Sequence, residues 1–416
     1  MGIPKSIPAL SKEKITSILI FCVLAISAWY RLTTYGDLRL SVGNADSMTY
    51  IASSRAPLFS WKIFAGVRGI TSNLVYKLAN DEDNCKLTAM SDPVNGIESA
   101  RDIHPCFQRI ALLQNFLAVI SWCFLAWMTS RWLDNPFAKL LIAILIVTFG
   151  FTPQIAEWDS ILGPESLTFS LFIISLALLE EIVFRIIRKQ ENINSPVIIR
   201  LVIAWFTLYA FWTHLREVHL HSIPITMILI GMALFSKKFA KSKVIIAAVC
   251  VLAGVFFLGY TASSYASRAT VGPLNHAFDD FIRPYPARIE FFEKFGMPDQ
   301  ASPQFNDWFS RNAQKTYGLF LVSHPGFIAY TVLERSAYFR SDFIQPYYRD
   351  TIKKPLREKL IVIGEMLHPE TNSVYLLIFL IQIGLIISAI KNKDENIISW
   401  AWISLWMLGA AAVTLF

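Results

Sequence analysis

Charge is the scarcest commodity in this chain of 416 residues: only 17% of its side chains are Asp, Glu, Lys or Arg, against about 25% in an ordinary soluble domain. With 54% hydrophobic residues and a mean hydropathy of +0.45, a soluble globular protein is excluded. Cysteine is scarce as well. Five cysteines without CxxC spacing build neither a disulfide scaffold nor a zinc site. No glycine-rich phosphate-binding fingerprint occurs, no internal repeat carries the symmetry of an inverted-repeat transporter, and no tract is of low complexity. Mid-membrane charges, the mark of an ion or proton path, are also nearly missing. Glu180 and Glu181 fall in an apolar run, but near its end and close to Arg185.

What is present is a series of apolar runs, each about long enough to cross a hydrocarbon core of about 30 Å. Read by length and charged ends, they predict an all-α polytopic membrane protein with nine spans at 13 to 33, 108 to 130, 137 to 156, 165 to 187, 197 to 214, 220 to 236, 243 to 264, 372 to 390 and 397 to 416. The first run ends in Trp29, Tyr30 and Arg31, not in the small residues of a cleavage site, so it reads as a membrane helix and not as a cleaved signal.

Position, more than the net charge of +7, carries the information in the basic residues. Lys5, Lys12, Lys14, Arg131, Lys139, Arg185, Arg188, Lys189, Lys237, Lys238, Lys241, Lys243, Lys391 and Lys393 all fall on one side if nine helices alternate. The positive-inside rule then puts the N-terminus in the cytoplasm. Residues 1 to 264 form a membrane module whose first outer loop, 34 to 107, carries helices suited to lying in the headgroup plane. Residues 265 to 371 form an outer cap rich in aromatics, proline and arginine, and 372 to 416 two closing spans.

Polar chemistry concentrates at the outer helix ends in three segments. In GNADSMTYI, Asp46 either caps a helix or presents a carboxylate beside Tyr50, four residues on and on the same helical face. In AEWDSILGPESL, Glu157, Asp159 and Glu165 surround a Gly-Pro break; Glu165 either favours the positive end of the next helix or, with Asp159, binds a divalent cation or sugar hydroxyls. In HLREVHLH, His214, His219 and His221 lack the HExxH spacing of a zinc site. Arg216 there either snorkels to the interface or holds a phosphate through its paired donors.

These segments, in this order and on this side, resemble the GT-C superfamily of integral-membrane glycosyltransferases: an acid in the first outer loop (ADSMTY), interfacial helices in that loop, an acid in the second (ILGPESL), an Arg-acid pair after the fifth span (LREVH) and a large outer loop after the seventh. The chain departs from the pattern in lacking an Asp-Glu pair in the first loop, and its second-loop acid is either Asp159 or Glu165. The resemblance implies an inverting enzyme with a polyprenyl-phosphate-linked sugar as donor and a glycan or lipid-linked acceptor, working on the periplasmic or lumenal face. The short Lys-containing face suits a bacterial inner membrane, and the natural task is modification of a surface polysaccharide. Asp46 is then the base. Donor contacts fall to Arg216, Arg68, Glu217, Tyr50 and His219, and a Mg2+ or Mn2+ ion held by the second-loop acids is an open alternative. Membrane lipids, and no nucleic acid, are the other expected partners. A transporter, flippase or polymerase of lipid-linked glycans is the competing reading. A membrane acyltransferase is disfavoured because every His maps to the outer side or its boundary. Cys85 and Cys106 share the first outer loop and are expected to form a disulfide in an oxidising compartment.

Overall fold

The computed structural model describes residues 12–43, 46–79, 106–235, 239–265, 271–334, 355–368 and 372–414. Among them the architecture is all helical; the one extended contact is a parallel bridge between Val42 and Ile161. Six helices are long and apolar enough to cross a membrane: α1 (Lys12–Thr34), α5 (Gln108–Arg131), α8 (Glu165–Ile187), α9 (Pro196–Thr213), the Glu217–Phe235 segment that contains α10 (Ser222–Met232), and α11 (Lys243–Tyr265). This is the make-up of a multi-pass membrane protein.

The third expected span is broken. α6 (Pro136–Gly150) and the Pro153–Ser160 stretch, which opens with α7 (Pro153–Ala156), meet at 51°. Proline cannot donate the backbone hydrogen bond that would continue the helix, so Pro153 starts a new one. Gly150 sits at the bend, where an added Cβ would lie 2.1 Å from the Trp122 ring. The residue must therefore be glycine for α6 to close on α5. Local signals set the other helix starts. Asn135 accepts from the backbone N–H groups of Phe137 and Ala138 ahead of Pro136, and Ser195 accepts from Ile198 N–H ahead of Pro196, in each case a cap followed by proline at the first helical position.

The main core joins α1, α5, α6, α8, α9 and α10 to the C-terminal helix α18 (Glu395–Thr414), which follows α17 (Asn372–Asn392). Trp406 is fully enclosed, stacks on Phe172 and donates its indole N–H to Thr226 at 3.0 Å. Residues 271–334 have a core of their own. There α12 (Val271–Ala277), a π-helical turn at Phe278–Ile282, α13 (Pro286–Lys294), α14 (Phe305–Ser323) and α15 (Phe327–Glu334) pack Phe278, Phe292, Phe309 and Phe320 together. The short α16 (Pro355–Leu367) instead lies against the end of α6 and α7: Gln154 donates to the Ile361 carbonyl at 3.1 Å, and His368 stacks on Phe149.

Candidate functional site

The segment between α1 and α5 supplies α2 (Ser47–Ser54), α3 (Trp61–Phe64) and α4 (Ile70–Ala79). Asp46 stands at the N-cap of α2 but makes no side-chain capping bond. Its carboxylate instead accepts from Arg68 Nη2 at 2.8 Å. The same guanidinium donates to Thr49 Oγ1 at 2.8 Å and lies 4.2 Å over the Tyr50 ring, a cation–π contact that fixes its plane. The Asp46 side chain is 62% exposed and that of Arg68 only 19%, so the carboxylate faces the open side and the arginine backs it.

Two contacts hold this arrangement against the rest of the protein. Ser47 Oγ donates to the Leu162 carbonyl, seating the start of α2 on the loop that precedes α8. Gly69 lies so close to the third segment that a Cβ would come within 2.2 Å of the His214 carbonyl oxygen. Just beyond it, Thr71 N–H donates to that carbonyl and Ser72 Oγ to the Leu215 carbonyl. The three polar segments of the sequence are therefore adjacent in space.

Their charges interlock. Arg216 Nη1 donates to Glu165 Oε1 at 3.2 Å, and Asp46 and Arg68 also act on Glu165 electrostatically. Tyr50 lies within reach of Arg68, Arg216, Glu165 and Glu217. Burial raises the Tyr50 hydroxyl well above its usual pKa, with Arg68 and Arg216 opposing the shift, so it stays protonated as a hydrogen-bonding group. A small cavity beneath Arg216 and Glu217 is lined by Gly69, His214 and Gly259 as well. Asp46, Tyr50, Arg68, Glu165, Arg216 and Glu217 thus form one cluster. His219 is buried and stacked on Trp212, with Nδ1 3.0 Å from the Trp212 carbonyl.

The second-loop acids divide. Asp159 is buried and accepts from Arg31 at 2.6 Å and from Ser166 Oγ at 2.6 Å. Arg31, at the end of α1, also donates to Asn115 and to the Ala156 carbonyl. Glu157, fully buried, pairs with Arg357 of α16. Both pairs act on Tyr35, whose hydroxyl donates to the Phe151 carbonyl at 2.7 Å. This is an internal double ion pair that locks the second loop to α1 and α16. Arg31 and Arg357 were not singled out by sequence reasoning; their only signal was an arginine at the end of an apolar run and another in a charged loop.

With Asp159 and Glu157 committed to arginines, three acids, Asp46, Glu165 and Glu217, remain in the exposed cluster, the first paired with Arg68 and the second with Arg216. Among the described residues no group of three or more His, Cys, Asp or Glu is arranged to hold a metal ion, and this donor set does not fit a resident divalent cation, which prefers several oxygen ligands. Cys22, Cys123 and Cys250 are free. Cys106 is buried at the start of α5, and the expected bridge to Cys85 involves a position outside the described residues. No family model, no curated protein and no solved structure matches the chain.

Proposed function

We propose that the protein is an inverting glycosyltransferase of GT-C type that moves a sugar from a polyprenyl-phosphate donor to a glycan or lipid-linked acceptor. In this reading nine spans place the N-terminus in the cytoplasm and the cluster on the periplasmic face of a bacterial inner membrane, where it modifies a surface polysaccharide. The observation that supports it most is an exposed carboxylate, Asp46, paired with Arg68, in one cluster with a second pair, Arg216 and Glu165, brought in from segments far apart in sequence.

The chemistry needs little more. An acceptor hydroxyl oxygen attacks the anomeric carbon while the bond from that carbon to the phosphate oxygen breaks, and its electron pair leaves with the polyprenyl phosphate. Asp46 takes the hydroxyl proton as general base. A phosphate leaves without a strong acid, so its developing charge is met by the Arg68 and Arg216 guanidiniums, whose forked donors match phosphate oxygens. Glu165 holds Arg216 in place, and Tyr50 offers an aromatic face and a hydroxyl to a sugar. Single displacement inverts the anomeric centre.

The test is transfer by the purified full chain from a panel of polyprenyl-phosphate sugars, paired with glycan analysis of cells with and without the intact gene. Sugar transfer that depends on Asp46 supports the proposal. Accumulation of lipid-linked glycan on the inner face, with no transfer by the pure protein, favours the flippase or polymerase reading.

A further inference from the structure

A second feature lies at the opposite ends of the helices, away from the acid and arginine cluster. Between α8, α9, α11 and α18 is a cavity of about 580 Å³, within the span of about 300–1,000 Å³ typical of ligand sites. Its walls are apolar, with Ile186, Val202, Trp205, Val244, Ala248 and Trp402 among them. Its mouth is polar and is formed by Gln190, Lys393 and Glu395.

The backbone at that mouth is unusual. Gln190 and Lys393 have φ of 54° and 53°, the two non-glycine residues with positive φ among the described residues, and both line this cavity. Each follows the end of a helix, where the left-handed position normally falls to glycine or asparagine. Residues held in such conformations cluster at binding sites. Here they put two polar side chains at the rim of an apolar chamber, where glycine would have left it bare.

The rim carries both signs, and its two acids have local hydrogen-bond partners. Gln190 Nε2 donates to Glu395, and Asp394 is occupied capping α18 through the Asn396 and Ile397 N–H groups. Nearby Arg185 and Arg188 are paired with Glu181, Glu191 and Asp134. Lys393 is exposed, as is Lys243 one residue before the lining Val244, and neither makes an ion pair among the described residues. An apolar chamber between membrane helices with an exposed ammonium at its mouth suits a lipid with a hydrocarbon tail and an anionic headgroup.

We propose that this cavity binds an anionic phospholipid of the leaflet on the lysine-rich side, with an acyl chain between α8, α9, α11 and α18 and the phosphate at Lys393. The site is distinct from the proposed transfer site and does not depend on that activity. Native mass spectrometry of the full chain in mild detergent tests it, using phosphatidylglycerol and phosphatidylcholine with identical acyl chains. The expected result is an about fivefold preference for phosphatidylglycerol, the effect of one basic residue at an anionic headgroup. Lys393→Gln should bring the two lipids to near parity. Val244→Trp, which fills the chamber from its wall, should reduce retention of both. Equal retention by the wild type, or an unchanged preference in Lys393→Gln, overturns the proposal. So does undiminished lipid retention by a folded Val244→Trp protein. Should Val244→Trp fail to fold, the exposed Lys393 substitution decides alone.

Discussion

Arg68 backs Asp46: its guanidinium bonds the carboxylate at 2.8 Å while lying over the Tyr50 ring. The contact leaves most of the Asp46 side chain open to an incoming hydroxyl and puts a positive charge next to the carboxylate that is to receive the proton. Asp46→Asn keeps the shape and removes the base. Sugar transfer should fall by about 100-fold or more, with thermal stability close to wild type because an exposed ion pair contributes little. Turnover of the purified variant and its melting temperature check this together. A loss of activity that tracks a loss of folded protein would return Asp46 to a structural role.

Arg216 bonds Glu165 through one nitrogen, at 3.2 Å, so the rest of its fork is available for a phosphate. Arg216→Ala should weaken donor use strongly. Arg216→Lys should retain part of it, because lysine keeps the charge and loses the paired geometry. Donor titrations of both variants separate this from a snorkelling arginine, for which neither change matters. Chelator treatment in the same assay is expected to leave transfer largely intact, since arginines supply the positive charge. Full loss with recovery on magnesium or manganese would assign that charge to a metal.

The positions of the long helices were readable because hydropathy is a property of each segment by itself: the run at 165 to 187 coincides with α8, and that at 243 to 264 with α11 but for one residue. The break between Gly150 and Pro153 was not recognised, although a glycine and a proline three residues apart are the kind of signal that marks one. The segments of Asp46, Arg68, Glu165 and Arg216, grouped in sequence as polar stretches at helix ends, are side by side in the fold. The ion pairs of Arg31 with Asp159 and of Arg357 with Glu157 were not legible, because they link residues 128 and 200 positions apart. No periodicity records such a partner. For the same reason Asp159 and Glu165, equivalent as loop acids in sequence, have different surroundings in the fold.

That difference is measurable. Asp159→Asn or Arg31→Met removes one member of a buried pair and leaves the other charge unmatched, at a cost of about 3–5 kcal/mol. Both variants should therefore melt well below the wild type. The double variant Asp159→Asn/Arg31→Met should recover part of the loss, because the stranded charge is gone. Glu165→Gln, with a half-exposed partner, should melt near wild type and lose activity instead. Equal stability of Asp159→Asn and Glu165→Gln would show that the second loop does not depend on the Arg31 pair.

Cys85 and Cys106 offer a test of sidedness as well as of covalent structure. The other three cysteines are free, and each lies in an apolar helix: Cys22 in α1, Cys123 in α5 and Cys250 in α11. Cys106 is buried immediately before α5, next to Phe107, which packs with Tyr50 and Tyr76 beneath the Asp46 loop. A bridge from there to Cys85 would close a loop of about 20 residues and, in the loop-entropy account, stabilise the fold by roughly 3 kcal/mol. It forms only where the compartment is oxidising, as a periplasm is. Alkylation of unreduced protein followed by mass spectrometry should label Cys22, Cys123 and Cys250 after unfolding, and leave Cys85 and Cys106 joined in one cross-linked peptide. Reduction should lower the melting temperature. Alkylation of both Cys85 and Cys106 without reductant would remove the bridge, and with it an argument that the Asp46 loop faces outward.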